Sequence, residues 1–544
     1  MRGKNSPYWP KRFSSDKLET PQTNLFHNLE NSAKKYPNKT AYIFNNKKIT
    51  YKNLAIQVEK LAAYLQIKLK VKKTDRILIF TQNSPQFIIA LYAINKIGAI
   101  AVPANPMNKT NELAHYAIDS GAKIIITTED VWPAAQPLLE QKIIHWAIIG
   151  NYNDNLNEDS IHNNNKINKE PIKINYWKEL IAHNLTTIPP LYDSDDPAVI
   201  VYTSGTTGKP KGCVHTNASI LSGVQNTVCW HGLNQAGISL GTIPMFHVTG
   251  MQANINIPIY LGATVVLLQR WNPQYALELI EQYAVSEWTA ITTMILDLLK
   301  AAETTDIQPS SLQYIRGGGA PMPAAVAQRF QDRFGLTYLE GYGLTETMAS
   351  VLFSPPNSPK FQCGGIPMFN TSALIIDPVT LTTLSVGEVG EIIISGPQLF
   401  KGYWNSEVED EDIFIKINDE KYIKTGDLGY VDIDGYFFIV DRLKRMINAS
   451  GFKVWPAEVE NILYLHPAVQ EACVVASKDP HRGETVKAYI VLKKDHENIS
   501  KEELITWSKT QMSAYKYPRI IEFREELPRS SSGKILWKEV QELC

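Results

Sequence analysis

Thr203-Ser204-Gly205-Thr206-Thr207-Gly208-Lys209-Pro210-Lys211-Gly212 follows directly on the apolar run Ala198 to Tyr202. A short apolar run entering a turn of small residues, hydroxyls and lysines reads as a strand delivering a glycine-rich loop. Such a loop can offer backbone N–H groups and side-chain donors to phosphate oxygens. The spacing Gly205-x-x-Gly208-Lys209 is not the P-loop pattern, which needs four residues between its glycines and a Ser or Thr after the lysine. Outward from this junction, compact runs at Arg76 to Phe80, Lys123 to Thr127, Ile143 to Ile149 and Thr264 to Leu268 alternate with amphipathic stretches. In one of these, Leu54, Val58, Leu61 and Leu65 recur at helical spacing. The alternation predicts an α/β protein with mostly parallel sheets flanked by helices, whose ligands gather beyond the carboxyl ends of the strands.

The 544 residues exceed what one core usually supports, so more than one domain is expected. With 44% hydrophobic residues and 54 basic against 55 acidic side chains, the chain is globular and has no bulk charge to hold a nucleic acid. Five scattered cysteines without a CxxC pair argue against a disulfide or zinc framework and for a reducing compartment. Met1 to Asp16 shows no secretory signal. The most membrane-like stretch, Phe87 to Pro103, is interrupted by Asn95, Lys96 and Gly98 and reads as a buried helix turning into a strand. The expected location is the cytoplasm, without an integral membrane segment. The Asn-rich tract Asn151 to Lys169 reads as an exposed, mobile loop. After the turn Asp432-Ile433-Asp434-Gly435 and the charged Asp441 to Ile447, about a hundred residues restart a pattern of their own: Pro456 to Leu463 helical, Ala472 to Ala476 and Ala488 to Leu492 strand-like. A large domain over 1–441 and a small, mobile α+β domain over 442–544 follow.

The glycine loop resembles the phosphate loop of the acyl-adenylate-forming (AMP-binding) superfamily, which includes acyl-CoA synthetases, luciferases and adenylation domains. Its further motifs occur in order: Tyr342-Gly343-Leu344-Thr345-Glu346, Tyr422-Ile423-Lys424-Thr425-Gly426-Asp427, Asp441-Arg442-Leu443-Lys444, Ser450-Gly451-Phe452-Lys453-Val454 and Pro528-Arg529-Ser530-Ser531-Ser532-Gly533-Lys534. The resemblance runs from about Leu25 to the end of the chain. It implies a ligase that consumes ATP with Mg²⁺ and uses coenzyme A as cosubstrate.

By that resemblance, residues Thr203 to Lys209 grip phosphate. Glu346 holds the magnesium ion, Thr345 touches the α-phosphate and Tyr342 stacks on adenine. Asp427 and Arg442 meet the ribose, while Gly318, Gly319, Ala320, Gly341 and Gly343 bring backbone close to the nucleotide. Lys534 bridges carboxylate and α-phosphate, and Lys444 is the hinge about which the small domain swings to bring Gly451 to the pantetheine tunnel. Where relatives such as plant-type aromatic acid ligases carry a lysine, this chain has Asn448.

In Pro244-Met245-Phe246-His247-Val248-Thr249-Gly250, amino-acid-activating relatives place an aspartate after the phenylalanine; here it is His247, which resembles the family's gate between carboxylate and CoA tunnel. An apolar acyl site lined by Trp230, Phe246, Ile291 and Met294 is expected. The stretch Asp441 to Glu460 is similar to bacterial medium- and long-chain fatty acyl-CoA ligases, so a fatty acid is the expected substrate. An aromatic-acid CoA ligase, a fatty acyl-AMP ligase serving a carrier protein, and an ATP-binding pseudoenzyme stay open as alternatives, as do a homodimer and peripheral membrane contact. Arg445, Lys453, Lys516 and Arg519 are candidates for the CoA phosphates.

Overall fold

The computed structural model describes the chain except residues 1–2, 12, 155–173, 178–179, 181–184, 189–191, 204–209, 304, 306, 308, 320–321, 407–412, 450–451, 480–482, 497 and 530–534, and leaves aside the side chains of 444, 448, 452, 453 and 495. Most of the Asn-rich tract, and with it the expected mobile loop, lies outside the described residues.

Two large sheets carry the expected parallel pattern. In the first, the strands Ile100–Pro103, Arg76–Phe80, Ile124–Thr128, Trp146–Gly150 and Ile174–Tyr176 run parallel beyond Pro197–Tyr202, whose other edge pairs antiparallel with Gly212–Thr216 and through it with Gly402–Tyr403. In the second, Tyr338–Leu344, Tyr314–Gly318, Glu287–Thr289, Ile238–Gly241, Thr264–Leu267 and Thr40–Phe44 are parallel neighbours, closed at each end by antiparallel strands. The helix Tyr51–Ala63 starts on the Thr50 side chain, which accepts from Asn53 N–H, and continues into Tyr64–Lys68. This keeps Leu54, Val58, Leu61 and Leu65 on one buried stripe, each at most 2% exposed. Phe87 to Pro103 is a helix then a strand, Pro85–Lys96 and Ile100–Pro103, turned by Gly98 at φ 71°. Among the described residues, no helix is long and apolar enough to cross a membrane.

A third sheet was not anticipated as a unit. Ser372–Ile376, Gly390–Ser395, Glu420–Val431, Phe414–Ile417 and Phe437–Arg442 are antiparallel throughout, around a core that includes Ile375, Ile392, Ile394 and Phe437. Beyond Arg442 the pairing changes partners: Ile447–Ala449, Phe452–Val454, Gly483–Leu492, Val469–Asp479 and Ile520–Arg524 form a separate sheet with its own apolar cluster, backed by the helices Pro456–Leu463, Lys501–Gln511 and Trp537–Glu542. The architecture is thus a large α/β body with parallel-rich sheets and a small α+β unit.

Candidate active site

The two parallel sheets end in a common cavity of about 900 Å³. Its wall includes Thr203, Lys211, Phe246, His247, Ile291, Gly318, Gly319, Gly341, Gly343, Thr345, Glu346 and Arg442. Thr203 N–H donates to Lys211 O at 2.9 Å, joining the two strands on either side of residues 204–209, which lie outside the described residues. The expectations for Ser204, Gly205, Thr206, Thr207, Gly208 and Lys209, as for Ala320, Gly451 and Lys534, fall there; so does the side chain of Lys444.

The glycines at the strand ends are demanded by backbone approach. A Cβ on Gly317 would stand 1.8 Å from Ala290 O, and one on Gly318 2.1 Å from Gly341 O. No side chain fits such gaps, so the strand edges lie open as backbone.

Tyr342 and Asp427 come together from sheets that are separate in sequence. Tyr342 Oη donates to Asp427 Oδ2 at 2.6 Å, and Arg442 Nε stands 2.9 Å from Asp427 Oδ1. Asp427 and Arg442 face each other in register on adjacent strands, with Asp427 only 3% exposed. The neighbouring carboxylate holds the Arg442 guanidinium firmly protonated, and burial together with Asp427 pushes the Tyr342 phenol well above its usual range.

Thr345 and Glu346 form a tight turn that ends in two non-glycine residues with positive φ, Met348 at 48° and Ala349 at 84°. Strained backbone of this kind persists where the surroundings hold it, and two side chains that sequence reasoning missed do the holding. His215 Nε2 meets Thr345 O at 2.7 Å, with Nδ1 facing Ser219 Oγ at 3.2 Å. Burial drives its pKa down to about 4, so the ring is neutral and Nε2–H is the donor. Tyr403 Oη donates to Glu346 Oε1 at 2.7 Å, while Phe400 N–H donates to Glu346 O at 2.8 Å. His215 and Tyr403 belong to paired strands of the first sheet, so the strand leaving the glycine loop is clasped to the Thr345–Glu346 turn of the second. Neither residue carries a local sequence signal: each acts across more than fifty positions of chain.

Glu346 also meets the requirements of a hard divalent cation. A carboxylate has about four lone-pair positions and Tyr403 takes one. Among the described residues no group of three or more His, Cys, Asp or Glu is placed to hold a metal. A single carboxylate supplemented by phosphate oxygens is how Mg²⁺ is commonly bound.

His247 caps the short helix Val248–Met251, its Nδ1 accepting Thr249 N–H at 3.3 Å, which leaves the neutral ring's proton on Nε2. The segment before it is pinned by Asn83, whose Oδ1 accepts Met245 N–H at 2.8 Å and whose Nδ2 donates to Ile243 O at 3.1 Å. Phe246 and Ile291 line the cavity as expected. Trp230 and Met294 do not. Trp230 is fully buried, edge-on to Trp9 and Phe369 beneath the N-terminal segment, and Thr227, one turn earlier on the same helix, faces the cavity instead. Met294 points into the core, where its sulfur accepts from Thr242 Oγ1 at 3.5 Å. Arg445, a candidate for CoA phosphate, is bound within the small unit to Glu460 at 2.5 Å and to Val474 O at 3.0 Å. Lys516 pairs with Glu458.

A family model described as AMP-binding enzyme matches residues 29–404, and one described as AMP-binding enzyme C-terminal domain matches 458–534. The chain is 34% identical to the long-chain-fatty-acid–CoA ligase of Bacillus subtilis, over 98% of this chain and 97% of that protein. It is 31% identical to a feruloyl-CoA synthase of Amycolatopsis, over 94% and 96%. Among solved structures, o-succinylbenzoate CoA synthetase of Bacillus subtilis in complex with its acyl-adenylate intermediate superposes with a TM-score of 0.81 at 28% identity, covering 96% of this chain and 98% of that one.

Proposed function

The chain belongs to the AMP-binding enzyme family, and from that premise we propose that it is an acid–thiol ligase joining a fatty acid to coenzyme A through an acyl-adenylate. The observation that carries this is the gathering of Thr345, Glu346, Arg442, His247 and the bare glycine edges around one cavity that also has an apolar wall.

A carboxylate resists attack by a thiol because its charge and resonance repel the nucleophile, so it is first made into a mixed anhydride. The acid's oxygen attacks the α-phosphorus of ATP and pyrophosphate leaves; the CoA sulfur then attacks the acyl carbon and AMP leaves. Both steps concentrate negative charge on oxygens, and the protein's task is to position and neutralise it. In this reading Thr345 Oγ1 and the glycine-loop amides orient the phosphates, and Asp427 with Arg442 receives the ribose. Tyr342 fixes the Asp427 carboxylate, and Lys534 bridges the reacting carboxylate and the α-phosphate. Glu346 would hold Mg²⁺, which when bound supplies positive charge against the phosphate oxygens. His247, on its helix cap, stands between the acyl site and the CoA entrance. The domain division falls near Asp441, with Lys444 as hinge. Asp441 is suited to that place, because Oδ1 accepts Arg442 N–H at 2.7 Å and Oδ2 accepts Ala457 N–H at 2.7 Å, tying the last strand of the body to the first helix of the lid. Swinging about it would exchange Lys534 for Gly451 at the site.

The test is AMP and pyrophosphate release with ATP, Mg²⁺ and a series of fatty acids, titrated with CoA. CoA-dependent turnover with stoichiometric acyl-CoA supports the ligase. Adenylate formation that CoA never discharges would refute it in favour of an acyl-AMP ligase.

A further inference from the structure

Among the described residues that line the cavity is a buried cation, Arg316, to which the adenylation chemistry assigns no role. Arg316 lies on the strand Tyr314–Gly318, two residues before Gly318, which sets its Cα about 7 Å below the glycine edge. It is 5% exposed, yet it lines the cavity together with Thr289, its register partner, and Ile291. Its Nη1 has no hydrogen-bond partner among the described residues. The nearest carboxylate oxygen, Glu287 Oε2, stands 3.7 Å away, beyond hydrogen-bond reach, and the guanidinium packs over the Tyr314 ring at 5.6 Å. A buried guanidinium with an unmet donor is costly unless a ligand meets it.

Resting on the reading of this cavity as the acyl site, we propose that Arg316 closes its far end and donates a hydrogen bond to an oxygen at the distal end of the substrate. Charge arithmetic selects the kind of oxygen. Glu287 already balances the arginine, so a distal carboxylate would bring an uncompensated negative charge into a buried site, whereas a hydroxyl or keto oxygen accepts the bond at no such cost. The preferred acids are therefore those with a neutral oxygen function at the end remote from the activated carboxylate, in preference to plain hydrocarbon chains.

The experiment compares kcat/KM for each plain fatty acid, its ω-hydroxy analogue and its ω-carboxy analogue across a series of chain lengths, in the wild type and in Arg316→Met, which keeps the length of the side chain and removes its donors. At the best-fitting length the wild type should favour the ω-hydroxy acid over the plain acid by about tenfold or more, the worth of a hydrogen bond to a charged group. The methionine variant should lose that ratio. Glu287→Gln is the second variant, and it should shift preference toward the ω-carboxy acid because it removes the balancing charge. Equal ratios in wild type and Arg316→Met at every length, or an unshifted preference in Glu287→Gln, would overturn the proposal and leave Arg316 as an ion-pair partner only. A wild-type preference for the ω-carboxy acid would overturn the charge argument. Absence of CoA-dependent turnover with every acid would fail the ligase reading and this inference with it; turnover with unchanged ratios fails this inference alone.

Discussion

Replacing Glu340 by glutamine should remove a pH dependence that is built into the floor of the site. Glu340 sits on the strand Tyr338–Leu344, in register with Gly317, and is 8% exposed. Its Oε1 accepts Met322 N–H at 3.1 Å, anchoring the chain just past the glycine run Gly317 to Gly319. Burial raises its pKa from 4.5 to about 8, against the opposing pull of the backbone N–H groups of Met322, Cys363 and Gln362. Below the unfolded value both states hold the proton and the contribution to stability is complete. As pH rises, the unfolded chain releases the proton that the folded chain keeps, so stability is lost up to the folded value. At 1.36 kcal/mol per unit, that loss amounts to about 4 kcal/mol between roughly pH 5 and pH 8. Glutamine keeps an acceptor for Met322 and cannot ionise. Urea unfolding of both proteins, followed by near-ultraviolet circular dichroism at several pH values, should show the variant gaining about 4 kcal/mol on the wild type across that window. Parallel curves, with a constant difference at all pH, would refute the argument that desolvation dominates at Glu340.

Burial acts in the opposite direction on His215: its folded pKa of about 4 lies below the unfolded 6.5, so its contribution is present above pH 6.5 and is lost as pH falls toward 4. His215→Gln should spare about 2 kcal/mol of the stability the wild type loses between roughly pH 7 and pH 5, measured by the same unfolding assay. Tyr403→Phe should raise the Mg²⁺ concentration for half-maximal adenylation about tenfold, since the Glu346 carboxylate loses the Tyr403 hydroxyl as a side-chain donor; thioester formation from supplied acyl-adenylate is the control, and an unchanged Mg²⁺ requirement would make Tyr403 only a packing residue. Lys534→Ala should slow acyl-adenylate formation by about two to three orders of magnitude while acyl-CoA formation from supplied acyl-adenylate survives. Comparable loss of both half-reactions, measured by pyrophosphate release and by thioester formation, would sink that division of labour.

The residue order alone carried the class of fold, because apolar runs of strand length alternating with 3.6-residue stripes can bury their faces in few ways. It also carried the candidate residues whose chemistry is local: a glycine-rich turn behind a strand, and a Thr-Glu pair after another. What it did not carry are the relations that hold those residues in place. The antiparallel third sheet sets Asp427 against Tyr342, 85 positions apart, and the pairing of Gly402–Tyr403 with Gly212–Thr216 brings Tyr403 to Glu346. The acyl wall shows the same limit. His247 in place of an aspartate after Phe246 favoured an apolar lining, but Trp230 and Thr227 share one helix, and which of them met the cavity depended on the N-terminal segment that covered Trp230 with Trp9. Arg316 reads in the sequence as one more charged residue beside glycines; only its burial, with Nη1 unmet among the described residues, points to a role toward the substrate. Local patterns encode which faces must be buried, whereas the contacts that position a site join segments far apart in the chain, and those exist only once the sheets have packed.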